Sequence, residues 1–164
     1  MADWNLVAEV ADALRIPVFG SGDCVTPEQV VEKLQSGVDG VLVGRGVLRN
    51  PWILAQAADI LAGRAPREIP LEERGRFLLE YIDLMQHERV REPEGFRRVA
   101  PGAARHADEP QAPRNHGRWV VNKIRALGAY YTKGVGNGAE LRAGLNTTGS
   151  VEELKDLVRR FFGL

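Results

Sequence analysis

Short apolar runs alternate with helical patterns in the first third of the chain. Residues 16–19 and 40–43 are continuous apolar segments that stop at glycines, as buried strands of parallel sheets do. Around them, apolar residues recur at helical spacing over residues 4–14, 27–36 and 51–61. The order helix, strand, helix, strand, helix predicts two parallel strands in an α/β layer.

Capping residues indicate where several of these helices begin. Asp3 can cap the first helix, and Thr26 precedes Pro27 and Gln29, which is a typical helix start. Ser150 with Glu153 forms a capping box before the last helix. We expect the first helix to bury one apolar face, which consists of Val7, Val10, Ala11 and Leu14.

The strand signal ends early, and the rest of the chain is helical. We therefore predict an α/β part over residues 1–63, a polar linker over 64–70 and an all-α domain over 71–164. Residues 93–117 are rich in Pro, Ala, Gly and Arg, which predicts a flexible insertion, and the helical pattern resumes at Trp119.

The charge of the chain is uneven although its net charge is zero. Residues 1–90 hold 9 basic and 14 acidic side chains, whereas residues 91–164 hold 13 and 8. A polyanion such as RNA would meet the second half more favourably, and the alternative is ordinary scatter of surface charge.

Several classes of protein are disfavoured by the sequence. With Cys24 as its single cysteine, the chain has no internal disulfide, which fits a reducing cytosol. It shows neither a signal peptide nor an apolar run of the roughly 20 residues that a membrane span needs. We expect a soluble cytoplasmic protein with no membrane partner.

Two glycine loops follow the two predicted strands. Glycine lets backbone N–H groups approach a phosphate closely, and consecutive loops of this kind match the phosphate site after strands 7 and 8 of a (β/α)8 barrel. Singly, such glycines are usually turns. The candidate cofactor-binding residues are Gly20, Ser21, Gly22, Asp23, Gly44, Arg45 and Gly46.

The amino-acid sequences of these segments resemble motifs of the tRNA-dihydrouridine synthase family. Residues 16–23 (IPVFGSGD) resemble the family's IPV-x-x-NGD segment, and residues 37–52 (GVDGVLVGRGVLRNPW) resemble its G-x-DGVM-x-GRG-x-x-x-NPW segment. A second match to the family's RKH-x-x-WY-x-KG … LR stretch lies within residues 118–145. It consists of Arg125, Tyr130, Tyr131, Lys133, Gly134, Leu141 and Arg142.

This resemblance implies the C-terminal portion of a (β/α)8 TIM barrel, strands 7–8, followed by an all-α helical domain. The family binds FMN, which NAD(P)H reduces, and converts uridine in tRNA to 5,6-dihydrouridine. The implied RNA contacts are Arg125, Lys133 and Arg142, which would position phosphates; the alternative is a solvated basic helix face. Strands 1–6 and the family's catalytic cysteine would lie outside this chain, so a separate N-terminal barrel half is a candidate partner.

No catalytic or metal-ligating residue is expected within the chain. Cys24 stands on the wrong loop for the family's cysteine and is expected to be a small core residue. His87, His106 and His116 lack metal-ligand spacing and are expected at the surface. At Asp23, structural bonding within its loop competes with contact to a cofactor.

Other side chains have packing interpretations. Trp4 and Trp52 are expected to pack in the core or at an interface. At least one of Tyr130 and Tyr131 is expected in the core, because adjacent helical residues face different ways. Two further functions remain open: a non-catalytic RNA-binding remnant, and another FMN- or sugar-phosphate-binding barrel.

Overall fold

The computed structural model describes residues 2–87 and 115–164. Two short strands are described, β1 (Phe19–Ser21) and β2 (Gly40–Leu42). The first four helices are α1 (Trp4–Ala13), α2 (Pro27–Leu34), α3 (Arg45–Arg49) and α4 (Ile53–Leu61). The others are α5 (Leu71–His87), α6 (His116–Tyr131), α7 (Gly138–Thr147) and α8 (Val151–Phe162).

The chain divides into two compact units. The strand unit comprises Met1–Pro70 with Leu127–Ala139, and the helical unit comprises Leu71–Ala126 with Glu140–Leu164. The sequence-based boundaries, 1–63, 64–70 and 71–164, stay a prediction.

In the strand unit, the two strands are parallel neighbours, as predicted. Phe19 pairs with Gly40 and Ser21 with Leu42. Helix α2 packs against α4 and against β2. This places an apolar core beside the strands, formed by Trp4, Cys24, Val30, Val31, Val38, Ile53 and Ala57. The expectation that Trp4 and Cys24 are core residues is therefore confirmed.

The strand segments, which were predicted to be buried, are buried only in part: Val41 and Val43 pack against the core, but several large side chains are exposed. Ile16 is 67% exposed, Phe19 60% and Leu42 58%. Strand β1 also begins only at Phe19, so residues 16–18 precede it. The sequence pattern predicts strands that are apolar on both sides. The described helices cover only part of this small sheet, so apolar side chains on its remaining surface are exposed to solvent.

The helix starts predicted from capping side chains are confirmed at α1, α2 and α8. The Asp3 carboxylate accepts a hydrogen bond from the Leu6 N–H at 3.1 Å. Thr26 and Gln29 form the reciprocal capping box of α2. At α8, Ser150 accepts from the Glu153 N–H at 3.1 Å as predicted, while the Glu153 carboxylate accepts from the neighbouring Gly149 N–H at 2.8 Å.

Several helix boundaries and faces differ from prediction. Arg45 and Gly46 belong to a short helix, α3, and α4 begins at Ile53. Of the apolar face predicted for the first helix, Val7 and Ala11 pack against the core, whereas Val10 and the C-cap residue Leu14 are exposed.

The helical unit is built on apolar faces of its helices. Helix α5 packs against α8, and Gly75 permits this close contact because a Cβ there would overlap the Phe162 side chain. The buried side chains of the helical unit include Leu78, Ile82, Ile124, Leu141, Leu145, Leu154 and Val158. Most of the predicted insertion 93–117, and His106 within it, lies outside the described residues; its last residues, His116 and Gly117, start α6 and are helical.

Two classes of feature are absent from the described ranges. Among residues 2–87 and 115–164, no helix is long and apolar enough to cross a membrane. In the same ranges, no group of His, Cys, Asp and Glu side chains is arranged to hold a metal ion.

Candidate functional site

The two glycine loops meet at one edge of the sheet. Because β1 and β2 are parallel, the segments that follow them leave from the same edge. There they enclose a cavity of about 270 Å³. Its lining residues are Ser21, Gly22, Asp23, Cys24, Val25, Leu42, Gly44, Arg45 and Gly46.

The loop after β1 has an unusual backbone conformation. Gly22 has a φ of 124°, which favours glycine, and Asp23 follows with a φ of 56°. The Gly22 carbonyl accepts a hydrogen bond from the Trp4 indole N–H at 3.3 Å. The Asp23 carboxylate accepts from the Ala2 N–H at 2.6 Å. Residues near α1 thus hold this loop in shape, which gives Asp23 a structural bond and also leaves it on the cavity wall.

The loop after β2 approaches the first loop through backbone atoms. A Cβ at Gly46 would overlap the Cys24 carbonyl oxygen and would crowd the side chains of Val43 and Ile53. At Gly44, by contrast, a Cβ would meet nothing within 4 Å. Gly46 therefore closes the contact between the loops, while Gly44 borders open space.

Six of the seven candidate cofactor-binding residues line this cavity, and Gly20 does not. Gly20 lies in β1, where a Cβ would overlap the Trp4 ring. Arg45 is exposed on the first turn of α3. Its guanidinium forms no hydrogen bond or ion pair with any residue that the structure describes.

Cys24 lines the cavity but is not placed for chemistry. Its side chain is buried, and its thiol donates a hydrogen bond to the Gly22 carbonyl at 3.4 Å. Burial raises the pKa of this thiol, with a smaller opposing effect from Lys33. A thiol that stays protonated is a poor nucleophile, in keeping with the packing role expected from the sequence.

A phosphate group fits this arrangement. The two loops supply backbone at close range without obstructing side chains at Gly22, Gly44 and Gly46, and Arg45 supplies an uncommitted positive charge.

Arg125, the first candidate RNA contact, is bound to the end of α7 within the helical unit. Its guanidinium donates to the carbonyls of Leu145 at 3.2 Å and Thr148 at 2.6 Å. It also donates to the Asn122 side-chain oxygen at 3.3 Å. The Leu145 carbonyl also accepts from the Thr148 hydroxyl at 2.9 Å, so Arg125 adds to the bonds that close the end of α7 and supports the fold whatever else it contacts.

The other candidate RNA contacts differ in exposure. Lys133 is exposed and lies over the Tyr130 ring, with its Nζ 5.6 Å from the ring centroid. Arg142 is half-buried on α7. Tyr131 is 1% exposed, so the prediction that one of the two adjacent tyrosines is a core residue is confirmed.

His116 is not the freely solvated side chain that the sequence indicated. Its Nε2 lies 2.9 Å from the Met85 carbonyl oxygen and 3.2 Å from that of Gln86, and its ring stacks on Trp119. Since carbonyl oxygens only accept, Nε2 carries a proton and donates. His116 thereby ties the start of α6 to the end of α5.

Asp59 is a residue that sequence reasoning missed. This buried carboxylate on α4 accepts from Arg64 Nη2 and Arg67 Nε, both at 2.7 Å. The hydrogen bonds from Arg67 and then Arg64 hold the pKa of Asp59 well below its usual range. The available signal was an acidic residue within an apolar helix, followed by arginines five and eight positions later. The predicted linker is thus fastened to α4.

Parallel strands with paired glycine loops, followed by a helical unit, define an α/β protein with a helical extension. Residues 1–128 match the family described as "Dihydrouridine synthase (Dus)". The chain therefore belongs to the dihydrouridine synthase family, and the resemblance inferred from its motifs is confirmed.

Individual relatives agree with this assignment. A "Probable tRNA-dihydrouridine synthase" of Rickettsia conorii is 25% identical over 164 residues, covering 98% of this chain and 41% of the relative. The corresponding protein of Rickettsia bellii is 27% identical over 163 residues, covering 98% and 42%. The "tRNA-dihydrouridine(47) synthase [NAD(P)(+)]" of Coprinopsis cinerea is 33% identical over 94 residues, covering 51% and 13%. The chain thus spans less than half the length of these relatives.

Proposed function

We propose that this chain is the C-terminal part of an FMN-dependent tRNA-dihydrouridine synthase. In this proposal, residues 1–63 supply strands 7 and 8 of a (β/α)8 barrel, and residues 71–164 supply a helical tRNA-binding domain in a cytoplasmic enzyme. The observation that carries the proposal is the cavity between the two glycine loops, since family membership alone does not say which residues bind the cofactor.

The role proposed for the strand unit is to hold the phosphate end of FMN. Backbone N–H groups of residues 21–24 and 44–46 would donate to phosphate oxygens, and Arg45 would neutralise part of the phosphate charge. Bound flavin, reduced by NAD(P)H, would supply a hydride to one carbon of the C5–C6 double bond of uridine, and a proton added to the other carbon would complete the reduction. In this proposal the residues of this chain bind and orient, and the proton donor is assigned to another segment, since Cys24 is buried.

The role proposed for the helical region is to hold tRNA. The excess of basic residues over residues 91–164 favours a polyanion. Lys133 is exposed and available for a phosphate, while Arg125 and Arg142 are half-buried. All three would position the RNA without reading its sequence.

The exposed apolar side chains of the strand unit support the proposal that another segment packs against it. Phe19 and Leu42 lie on the two strands, and Ile16 just precedes the first; all three are large, apolar and mostly exposed. Exposed sheet surface of this kind is a liability unless it is covered. We propose that the remaining barrel strands cover it, either from the same polypeptide or from a separate N-terminal barrel half.

Ligand binding tests the cofactor site. FMN and riboflavin differ only by the phosphate, so FMN should bind the chain more tightly, and Arg45→Gln should reduce that difference. Arg15→Gln is a charge-matched control, because Arg15 is exposed and does not line the cavity. Equal affinity for FMN and riboflavin would remove the phosphate site from the proposal.

Reconstitution tests the activity. The chain with FMN, NADPH and unmodified tRNA should give no dihydrouridine in nucleoside mass spectrometry, and adding the barrel half of a relative should give some. Flavin and tRNA binding without turnover in the reconstituted mixture would favour a non-catalytic RNA-binding protein. Turnover by the chain alone would contradict the assignment of the proton donor to another segment.

A further inference from the structure

Helix α3, which carries Arg45 of the candidate phosphate site, is too short to fix its own orientation. It has five residues, and its N-cap, Gly44, makes no side-chain hydrogen bond. At its two ends, the Val47 N–H donates to the Gly44 carbonyl at 3.2 Å and the Asn50 N–H donates to the Gly46 carbonyl at 2.8 Å. Because helices of this length are marginal by themselves, contacts from outside must hold α3 in place.

The Asn50 side chain begins a series of amide hydrogen bonds that leads away from α3. Its Oδ1 accepts from the Trp52 N–H at 3.3 Å, and its Nδ2 donates to Gln56 Oε1 at 2.6 Å. Gln56, on the first turn of α4, in turn donates from Nε2 to the Arg67 carbonyl at 2.8 Å. We call this series, from Asn50 through Gln56 to the Arg67 carbonyl, the amide chain. It connects the end of α3 to the segment 64–67 that follows α4.

The groups at the two ends determine the direction of the amide chain. The Trp52 N–H can only donate and the Arg67 carbonyl can only accept, so each amide side chain has one possible orientation. The central bond must then run from Asn50 Nδ2 to Gln56 Oε1. Both side chains are half-buried, where water competes less for these bonds than at an exposed position. Gln56 is therefore the link on which the connection depends.

The far end of the amide chain is held by Asp59. This buried carboxylate accepts from the Arg67 backbone N–H at 3.3 Å and from Arg67 Nε at 2.7 Å. It also accepts from Arg64 Nη2 at 2.7 Å, and the Arg64 N–H donates to the Asp59 carbonyl at 2.9 Å. Gln56 thus bonds to a carbonyl that is itself fixed to α4.

We propose that Gln56 is a positioning residue of the phosphate site: through Asn50 it fixes the orientation of α3, and thereby the placement of Arg45. This inference rests on the proposed function, in which Arg45 binds the phosphate of FMN. Gln56 and Asn50 do not line the cavity, so they act on the phosphate only through α3. Placement matters because a guanidinium interacts fully with a phosphate only at hydrogen-bond distance and angle.

The ratio of FMN affinity to riboflavin affinity, measured by flavin fluorescence titration of the full chain, isolates the contribution of the phosphate. A variant with less folded protein loses both affinities by the same factor and keeps the ratio. Gln56→Leu removes both hydrogen bonds of this side chain with little change in its size, and should lower the ratio several-fold. Gln35→Leu is the matched control, because Gln35 is exposed at the end of α2 and lies outside the cavity. It should leave the ratio unchanged.

A second variant, Asp59→Asn, separates positioning from charge. Loss of a negative charge makes the surroundings of the phosphate more positive, so a direct electrostatic effect would raise the ratio. Loosening of the segment 64–67 should instead lower the ratio, because the Arg67 carbonyl no longer holds Gln56 in place. A higher ratio in Asp59→Asn would overturn the role proposed for this segment.

Hydrogen exchange of the ligand-free chain reports on α3 without any cofactor. In Gln56→Leu, the backbone N–H groups of Val47 and Asn50 should exchange faster than in the wild type, while those of Val30 and Val31 on α2 should not. A loss of global stability would accelerate exchange on both helices. Wild-type exchange rates at Val47 and Asn50 in Gln56→Leu would show that the amide chain does not hold α3, and would overturn the inference.

The affinity ratios also distinguish failure of this inference from failure of the proposed function. If the wild-type chain prefers FMN to riboflavin and Gln56→Leu has the same ratio as Gln35→Leu, the positioning role is wrong and the phosphate site stands. If the wild-type chain does not prefer FMN to riboflavin, the phosphate site and the positioning role both fail.

Discussion

The carbonyl oxygen of Cys24 occupies the space that a Cβ on Gly46 would need. The two glycine loops therefore touch through backbone atoms, with no side chain between them. Gly46 is also buried, so its neighbours have little room to move. This single contact determines how closely the two halves of the candidate phosphate site approach.

Gly46→Ala should separate the loops and destabilise the protein. The added methyl group meets rigid backbone at Cys24, and overpacking of a buried position typically costs about 1–3 kcal/mol in the free energy of unfolding. Urea unfolding measures the loss of stability, and flavin fluorescence titration with FMN measures the expected loss of binding. Gly136→Ala is the control, because a Cβ there meets nothing within 4 Å; equal stability and FMN affinity in the two variants would contradict the role of Gly46.

The capping box of α2 should contribute measurably to stability. The Gln29 side-chain oxygen accepts from the Val25 N–H at 2.9 Å and from the Thr26 N–H at 3.2 Å, so the box also holds the end of the cavity loop. Thr26→Ala should lower the free energy of unfolding by about 1 kcal/mol. Thr147→Ala, an exposed threonine at the end of α7, should change it by less than about 0.5 kcal/mol. Equal effects in urea unfolding would show that the cap is energetically unimportant.

Local signals in the sequence predicted local structure well. Asp3, Thr26 and Ser150 cap helices because their side-chain oxygens reach N–H groups only a few residues away. The paired glycine loops were predictable for a related reason: parallel strands place the segments that follow them at one edge. The exposure of Ile16 and Phe19 was not predictable, since it depends on which elements lie across the sheet.

Bonds between distant residues left no signal in the sequence. Gln86 is an ordinary polar residue near the end of α5, and the sequence does not show that it accepts a hydrogen bond from Lys155 on α8. Arg125 matched a family motif, but the sequence gave no sign that its guanidinium would bind carbonyls more than 20 positions away, as it does at Thr148. Long-range hydrogen bonding is a property of the packed helices.

Substitutions of Arg125 and Lys133 should affect stability differently, although both residues are candidate RNA contacts. Arg125→Ala removes donors from two carbonyls at the end of α7 and should lower the free energy of unfolding by about 1–3 kcal/mol. Lys133→Ala, at an exposed position, should change it by less than about 0.5 kcal/mol while still weakening tRNA binding. Urea unfolding and tRNA anisotropy on both variants check this. Unchanged tRNA affinity in Lys133→Ala would remove that residue from the RNA interface.

The ionisation of Asp59 should make the free energy of unfolding depend on pH in the acidic range. Its folded-state pKa is depressed below the ordinary value of 3.8 by hydrogen bonds from Arg67 and Arg64. A group with a depressed pKa stabilises the fold fully above its unfolded pKa, and that contribution is lost as the pH falls toward the folded pKa. The urea midpoint of the wild-type chain should therefore exceed that of Asp59→Asn at neutral pH, and the difference should shrink as the pH falls below about 4.

Arg76→Gln provides the control for this pH dependence. Arg76 pairs with Glu72 on the exposed side of α5, one turn apart, and solvent screens such a pair. The urea midpoint of Arg76→Gln should stay close to that of the wild type from pH 7 down to pH 3. In Asp59→Asn, the asparagine keeps an acceptor oxygen for the Arg67 backbone N–H but loses the charge that the two guanidinium groups share. A constant difference between wild type and Asp59→Asn from pH 7 down to pH 3 would mean that the carboxylate charge does not fasten residues 64–67 to α4, and that packing alone holds this segment.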